Sequence, residues 1–212
     1  MRRLPIFVAI ATLLAACGSK PPVTAPAPAL SLEGLSAQRI AVLPAFTIIA
    51  GQDEWGAPLR RSTATLRALD AQVDSALQER GVGRSWVFPA ELQRSYQHNP
   101  TYATDPYALG EEPLRSPTLE VGSRLPDPIA SQLRTLAALA DTRFVLAPIE
   151  LRVQRLATDS TRGDGVLKLA VLDTRLSEVV WVGEVRSDAV ATPGPRIVAS
   201  LGRRVADLFA AP

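Results

Sequence analysis

Cys17 is the only cysteine among 212 residues, so the chain cannot close an internal disulfide. Any stable fold must therefore rest on an apolar core. The cysteine follows a stretch in which Arg2 and Arg3 precede an almost wholly apolar run at 4–14. This layout is typical of a secretory signal, and the run is shorter than the roughly 20 apolar residues that a membrane-spanning helix needs. The sequence thus predicts that residues 1–16 are removed and that the fold is built from the remainder.

The four residues that end in this cysteine, Leu14-Ala15-Ala16-Cys17, resemble the lipobox of bacterial lipoproteins. In that family the cysteine sulfur receives a diacylglycerol, and cleavage makes the cysteine the acylated N-terminus. The resemblance implies that Cys17 is lipidated and that membrane lipid is one partner of the chain. Two or more acyl chains give a durable anchor, at roughly 0.8 kcal/mol per buried methylene. A buried, inert thiol is the alternative, and the order of the leader elements argues against it.

The residues after Cys17 predict where the protein lies and how far it stands from the lipid. In lipoproteins of the enterobacterial type, an aspartate after the cysteine retains the protein in the inner membrane, and here that position is Gly18. We therefore expect the periplasmic face of the outer membrane in a bacterium with two membranes. Residues 17–31 are rich in proline and alanine, which favours an extended tether of about 3 Å per residue.

The remaining residues, 32–212, have the size of a single globular domain. Loss of residues 1–16 takes two of the 23 basic side chains, which leaves 21 basic against 21 acidic ones and a formal charge of zero. Nucleic-acid binding needs clustered cations that displace counterions from phosphates, and no such cluster stands out in the sequence. We therefore expect no nucleic-acid partner.

Hydrophobic periodicity predicts a chain that alternates strands and helices and then ends in a strand meander. Short apolar runs predict strands at 39–44 and 85–88, and helical spacing predicts helices at 62–80, 89–98, 128–140 and 195–209. Alternating side chains predict strands at 144–156, 166–173 and 179–189. The expected fold class is α/β (α+β), with a mixed sheet that is parallel in its early strands, antiparallel in its C-terminal meander and flanked by about four helices. We expect the doubly apolar strand at 39–44 to lie at the centre of the sheet.

Five prolines interrupt the segment 99–126, which has neither a helical nor a strand period. A loop longer than roughly 12 to 15 residues in a compact domain is often functional or disordered. Tyr96, Tyr102 and Tyr107 flank its first half, and aromatic side chains bury large areas at small entropic loss. These tyrosines are candidate partner contacts. The alternative is that they fix the loop to its own domain.

Four stretches together carry a resemblance to a known superfamily. They are Arg39-Ile-Ala-Val-Leu-Pro44, Leu69-Asp70 with the helix to Leu77, Ala140 to Ile149, and Leu169 to Asp173 followed by Glu178-Val-Val-Trp181. This pattern resembles bacterial envelope lipoproteins that include the curli secretion lipoprotein, the outer-membrane lipoprotein of flagellar assembly and the lipoprotein activators of penicillin-binding proteins. It also resembles the amino-terminal domain of the Tol-system propeller protein. The resemblance implies a module that recruits, regulates or oligomerises and does not catalyse.

Two departures from the family limit what the resemblance implies. Ser177 stands where the family usually has a glycine that accommodates a positive φ, so this turn is either strained or of another type. The pore-forming members carry membrane hairpins whose strands need about 9 to 11 residues of alternating polarity. The prolines of 99–126 do not fit that role. We therefore do not expect a channel.

The sequence contains little catalytic machinery. His98 is the sole histidine, which excludes zinc sites that need two imidazoles, and lipidation would consume the only thiol. We expect no cofactor, no metal and no enzymatic activity. The leading hypothesis is a lipid-anchored binding or scaffold protein that recruits or regulates another envelope protein, or associates with itself. The alternative is a cell-wall hydrolase or glycan-binding protein that uses the loop carboxylates of Asp105, Glu111 and Glu112.

Substitution Cys17→Ser tests the anchor, because a hydroxyl cannot take the place of the acylated sulfur. We expect the variant to lose the acyl mass from its N-terminal peptide and to leave the membrane fraction or remain an uncleaved precursor. Intact mass spectrometry and membrane fractionation measure both effects, with Gly18→Ser as the control that keeps the cysteine. An unmodified Cys17 thiol in the native protein would contradict the lipoprotein hypothesis.

Overall fold

The computed structural model describes residues 32–51 and 54–210. The predicted leader, Cys17 and the tether lie outside the described residues, and the boundaries 1–16, 17–31 and 32–212 stay predictions. The helices are α1 (Leu32–Ser36), α2 (Thr63–Glu79), α3 (Pro89–His98), α4 (Ile129–Leu139) and α5 (Pro195–Phe209). The strands are β1 (Ile40–Val42), β2 (Thr47–Ala50), β3 (Phe144–Arg155), β4 (Gly163–Asp173) and β5 (Glu178–Arg186).

These strands form one mixed sheet. β1 and β2 both pair in parallel with the same edge of β3, whereas β3, β4 and β5 form an antiparallel meander. The predicted fold class is confirmed. The prediction that the strand at 39–44 lies at the centre is wrong, because β4 takes the other edge of β3 and leaves β1 on the outer side. Both faces of β1 are nevertheless buried, as its apolar sequence indicated.

A break at residues 43–46 separates β1 from β2. β1 lies opposite the first residues of β3, and β2 lies opposite its last residues. Pro44 in the break and Pro148 on the facing part of β3 both lack the N–H that a continuous ladder would need. The pairing resumes where Phe46 donates its N–H to the carbonyl of Pro148 at 3.3 Å. β1 and β2 are therefore two halves of one interrupted strand.

Helices cover the two faces of the sheet and form two separate cores. α2 and α5 cover one face, where the fully buried side chains include Leu69, Leu77, Leu201 and Phe209. α3, α4 and parts of the 99–126 segment cover the other face, where the buried side chains include Leu92, Leu114, Ile129, Leu133 and Leu136. Within residues 32–51 and 54–210, none of the helices has the length and apolarity to cross a bilayer.

Most predicted elements are found with boundaries that differ by a few residues at most. α2 begins after Ser62, whose Oγ accepts the N–H of Thr65 at 3.1 Å. It ends before Gly81, which has a φ of 71°. Ser62 is therefore the N-cap of α2, and Gly81 supplies the left-handed residue that follows its C-terminus.

The strand predicted at 85–88 is wrong as an extended element. A 3-10 helix at Gly83–Ser85 precedes it and α3 begins directly after it, so only one residue is left to pair. Val87 accepts the N–H of Val42 at 2.8 Å and donates its own N–H to Ile40 at 2.9 Å. The result is an isolated parallel bridge beside β1.

The 99–126 segment is folded against the body of the protein. Three of its leucines are buried: Leu109, Leu114 and Leu125. Its last part runs along the start of β5, where Gly122 donates its N–H to Val179 and Leu125 donates to Ser177, both at 2.8 Å. Ser177 has a φ of 53°, so it adopts the left-handed conformation in which the family's glycine was expected.

The packing of α2 on α5 depends on a glycine. A Cβ at Gly202 would lie 2.7 Å from the carbonyl oxygen of Gln72, closer than real Cβ atoms approach. We expect Gly202→Ala to lower the free energy of unfolding by about 1 to 3 kcal/mol, although alanine has the better helix propensity by roughly 1 kcal/mol. Urea denaturation measures the change, and Arg203→Ala on the exposed side of α5 is the control. A Gly202→Ala protein as stable as the unsubstituted one would contradict this close packing.

Candidate functional site

A groove opens at the end of β1, where residues 43–46 interrupt the pairing with β3 before β2 begins. In α/β folds such crevices at the carboxyl ends of parallel strands are common ligand sites. The groove has a volume of about 240 Å³. Its walls come from the break, from the first half of α2 and from the 99–126 segment, and its lining residues are Pro44, Ala45, Phe46, Thr63, Leu66, Arg67, Tyr107 and Glu111.

Arg67 and Tyr107 are stacked across this groove. The guanidinium carbon of Arg67 lies 3.7 Å from the centre of the Tyr107 ring, which is a close cation–π contact. Asp105 helps to fix the position of Tyr107, because its Oδ1 accepts the backbone N–H of Tyr107 at 2.9 Å. The stacked pair also lines a second cavity of about 230 Å³ that reaches Asp70, Asp74 and the start of α3. The 99–126 segment therefore contacts α2 through one aromatic ring that lies between two openings.

The electrostatics around Tyr107 suit a neutral phenol. Burial is the largest cause that raises the pKa of Tyr107, and the nearby carboxylates of Asp70 and Asp105 raise it further. The positive charge of Arg67 acts in the opposite direction. Tyr107 thus stays protonated at physiological pH and offers an aromatic face with a hydroxyl that can donate a hydrogen bond.

Asp70 on α2 is the most perturbed acid of the site. Its Oδ1 accepts the backbone N–H of Ala45 at 2.8 Å, and its Oδ2 is buried without a hydrogen-bond partner among the described residues. Burial is the main cause that raises the pKa of Asp70 to about 7, against the hydrogen bond from Ala45 and the charge of Arg67, which lower it. The second cavity therefore contains a carboxyl group that changes its charge near neutral pH.

The three predicted tyrosines do not share one environment. Tyr107 lines the groove, Tyr96 lies half-buried on α3, and Tyr102 is 79% exposed in the turn that follows α3. The leucines of the segment, and not these rings alone, hold it against the body. The role of the tyrosines as partner contacts stays a prediction.

Sequence reasoning did not find Arg67 or the buried state of Asp70. Arg67, Asp70 and Asp74 are three and four residues apart, which places them on one side of α2. That spacing is a signal that could have indicated a charged stripe. The stacking of Arg67 on Tyr107 depends on how the 99–126 segment folds back, and no local pattern predicts this.

The candidate catalytic residues have structural contacts or lie at the rim of the site. Asp105 accepts from Tyr107 and lies 3.5 Å from the amide of Gln93. Glu111 lines the groove, and Glu112 begins a 3-10 helix at Glu112–Arg115. His98 ends α3, with its Nδ1 at 2.7 Å from the carbonyl of Arg94. Over the part of the chain that the structure describes, no cluster of His, Cys, Asp and Glu side chains could hold a metal ion.

No known protein-family model and no curated protein matches the sequence. Among solved structures, the chain is similar to the PelC dodecamer from Paraburkholderia phytofirmans, with 12% identity, a TM-score of 0.43 and coverage of 87% of this chain and 93% of that chain. It is similar to E. coli LpoB, with 12% identity, a TM-score of 0.35 and coverage of 90% and 85%. It is also similar to lipoprotein GNA1162 from Neisseria meningitidis, with 16% identity, a TM-score of 0.38 and coverage of 70% and 78%.

One of these solved structures, GNA1162, is a bacterial lipoprotein. The overlap at these TM-scores does not test the resemblance of the sequence to envelope lipoproteins, which stays a prediction. Overlaps at these TM-scores carry no argument about what the protein binds.

Substitution Asp70→Asn tests the buried carboxyl. The folded pKa of about 7 lies above the ordinary 3.8, so the native state binds the proton more tightly than the unfolded state. Stability of the unsubstituted protein should therefore fall as pH rises from about 4 to 7, by on the order of a few kcal/mol. Asparagine cannot ionise, so the variant should gain stability relative to the unsubstituted protein over this range. Urea midpoints at a series of pH values measure the effect.

The same two proteins below pH 4 are the control, because both side chains are then neutral. Their difference in stability there gives the baseline cost of placing an amide beside Ala45. A difference that stays constant from pH 4 to pH 7 would contradict the raised pKa of Asp70.

Proposed function

We propose that the protein is a lipid-anchored, non-catalytic component of the bacterial cell envelope that binds another envelope protein through the groove beside Tyr107. The acylated Cys17 holds it at the membrane, and the tether at 17–31 separates the folded body from the lipid. The periplasmic face of the outer membrane is the proposed location, because Gly18 is not the aspartate that retains lipoproteins in the inner membrane.

The observation that carries this proposal is the construction of the groove. Pro44, Phe46 and Leu66 give it apolar walls, and the Arg67–Tyr107 pair presents an aromatic face and a guanidinium at its opening. Tyrosine and arginine are the side chains on which interface hot spots most often depend. Such a groove suits a short, partly apolar segment of a partner. The adjoining second cavity contains Asp70, whose unsatisfied oxygen could accept a further hydrogen bond from that partner.

The contacts of the loop acids favour binding over hydrolysis. A glycosidase needs two carboxyl groups that flank one bond, at a separation of roughly 5 to 10 Å, with at least one free to move a proton. The two carboxylate oxygens of Asp105 instead accept hydrogen bonds from the backbone N–H of Tyr107 and from the side-chain amide of Gln93. Self-association remains the second form of the proposed partner interaction, in which another copy of the chain would occupy the groove.

One observation favours the alternative of a wall-directed hydrolase or glycan-binding protein. Glu111 lines the groove beside Tyr107, and Asp70 lines the adjoining cavity with its pKa raised to about 7 by burial. An acid with such a pKa could serve as a general acid, and an aromatic ring is a common platform for a sugar. Glu111 and the other two loop carboxylates are therefore substituted in the experiments that separate binding from hydrolysis.

Substitution Tyr107→Ala tests the groove. Loss of a hot-spot aromatic costs about 2 kcal/mol or more in binding, so we expect the yield of a cross-linked envelope partner to fall by roughly tenfold or more. The measurement is quantitative mass spectrometry of the native lipoprotein after cross-linking in cells, with Tyr96→Ala and Tyr102→Ala in parallel. Leu176→Ala, a change to an exposed residue in the β4–β5 turn, is the control. An unchanged yield from a folded Tyr107→Ala protein would refute the groove as the binding site.

The amide variants Asp105→Asn, Glu111→Gln and Glu112→Gln separate the two functions. The binding proposal expects each to keep the cross-linked partner and the cellular phenotype. If instead they abolish cleavage of purified cell-wall glycan while Tyr107→Ala leaves the partner yield unchanged, the hydrolase is the better description.

A further inference from the structure

A separate pocket, here called the arginine pocket, lies at the opposite end of the sheet from the groove, where β1 and β3 begin. It has a volume of about 650 Å³. Four arginines line it: Arg39 before β1, Arg134 on α4, Arg143 before β3 and Arg175 in the β4–β5 turn. These residues are far apart in sequence, so the basic cluster exists only in the folded protein. The lining contains one acid, Asp141.

A buried carboxylate organises this arginine pocket. Asp173 is 1% exposed, and its Oδ2 accepts from Nε of Arg143 at 2.9 Å and from Nη2 at 2.5 Å. Its Oδ1 accepts the backbone N–H groups of Arg175 at 2.9 Å and of Leu176 at 3.2 Å. One side chain therefore fixes both the Arg143 guanidinium and the turn that carries Arg175.

Asp173 stays ionised despite its burial. Burial acts to raise the pKa of Asp173, but the hydrogen bonds from Arg143 and from the backbone of Leu176 and Arg175 outweigh it and hold the pKa below its ordinary value. Thr174 closes the frame, since its N–H and Oγ1 both donate to the carbonyl of Arg143, at 3.0 and 2.8 Å. The contacts between Asp173, Arg143 and the β4–β5 turn are thus kept around neutral pH.

Two of the four guanidinium groups make no polar contact within the described part of the fold. Among residues 32–51 and 54–210, the side chains of Arg39 and Arg175 make no hydrogen bond and no ion pair. Arg134 contacts Ser177 Oγ at 3.2 Å and lies 3.8 Å from the exposed Asp127, a pair that contributes little in solvent. The positive charge of this pocket is therefore only partly compensated, although the mature chain carries no formal net charge.

We propose that the arginine pocket binds a phosphate group, carried either by an anionic lipid or by a soluble anion. Guanidinium groups match phosphate oxygens with two parallel N–H donors, and Arg143, which Asp173 holds in place, loses little entropy on binding. The volume exceeds what a bare phosphate needs and leaves room for an attached organic group. A lipid source fits the position of the pocket, since Arg39 follows the predicted anchor Cys17 by 22 residues.

Arginine labelling distinguishes this proposal from general charge screening. Native lipoprotein is reconstituted in vesicles of neutral phosphatidylcholine and treated with phenylglyoxal, and labelling rates are read by mass spectrometry. One arm adds inorganic phosphate, and the other replaces part of the lipid by phosphatidylglycerol. We expect labelling of Arg39 and Arg175 to slow by roughly threefold or more when the pocket is mostly occupied. Arg196, an exposed residue at the start of α5, is the matched control and should not change.

Each outcome decides a specific point. Protection by both additions supports a general phosphate site, and protection by phosphatidylglycerol alone supports a lipid headgroup. Arg39→Gln should remove the protection of Arg175, whereas Arg196→Gln should not. Equal slowing at Arg196, or no slowing at Arg39 and Arg175 in either arm, would overturn the proposal. The phosphate arm does not depend on the groove, so its failure is separate from that of the proposed function.

Discussion

The fold depends on β3, the strand with which β1, β2 and β4 all pair. It accepts both β1 and β2 on one edge and β4 on the other, and its first residues are buried on both faces. The edge that takes β1 and β2 is interrupted, because Pro44 and Pro148 cannot donate to a ladder. The backbone N–H of Ala45 falls in this interruption, and Asp70 accepts it. A buried carboxylate is therefore present for a structural reason, and its second oxygen is left unsatisfied in the candidate site.

This origin explains why the groove lies where it does. The interruption leaves the end of β1 uncovered on the side of α2, and the 99–126 segment closes only part of the opening through Tyr107. The pKa of Asp70 rises because burial outweighs the Ala45 hydrogen bond and the Arg67 charge. A donor from a binding partner would satisfy the free oxygen, favour the ionised form and lower this pKa. Binding in the second cavity and the charge of Asp70 are thus physically linked.

Local sequence signals predicted the elements whose causes are local. α2 follows from its apolar spacing, the Ser62 cap and Gly81, and the three long strands follow from alternation after position 149. β2 was not predicted, since Thr47–Ala50 is short and gains its partner only through β3. α1 was missed for the same reason: five residues make little periodicity, and Leu35 is buried by contact with the rest of the fold. The stacking of Arg67 on Tyr107 joins residues 40 positions apart, which no local pattern encodes.

The pattern of apolar and polar residues along β3 also reflects where helices cover the sheet. Its first six residues are all buried, because helices lie on both faces there, and from Glu150 onward every second residue is more exposed. Glu150 and Arg152 contact each other on the less covered face, and Arg152 also pairs with Glu184. Charges on this face compensate each other, whereas Arg39 and Arg175 at the end of the sheet have no such partner among the residues that the structure describes. A negatively charged ligand in the arginine pocket would therefore gain contacts with Arg39 and Arg175 without displacing a carboxylate of the protein from them.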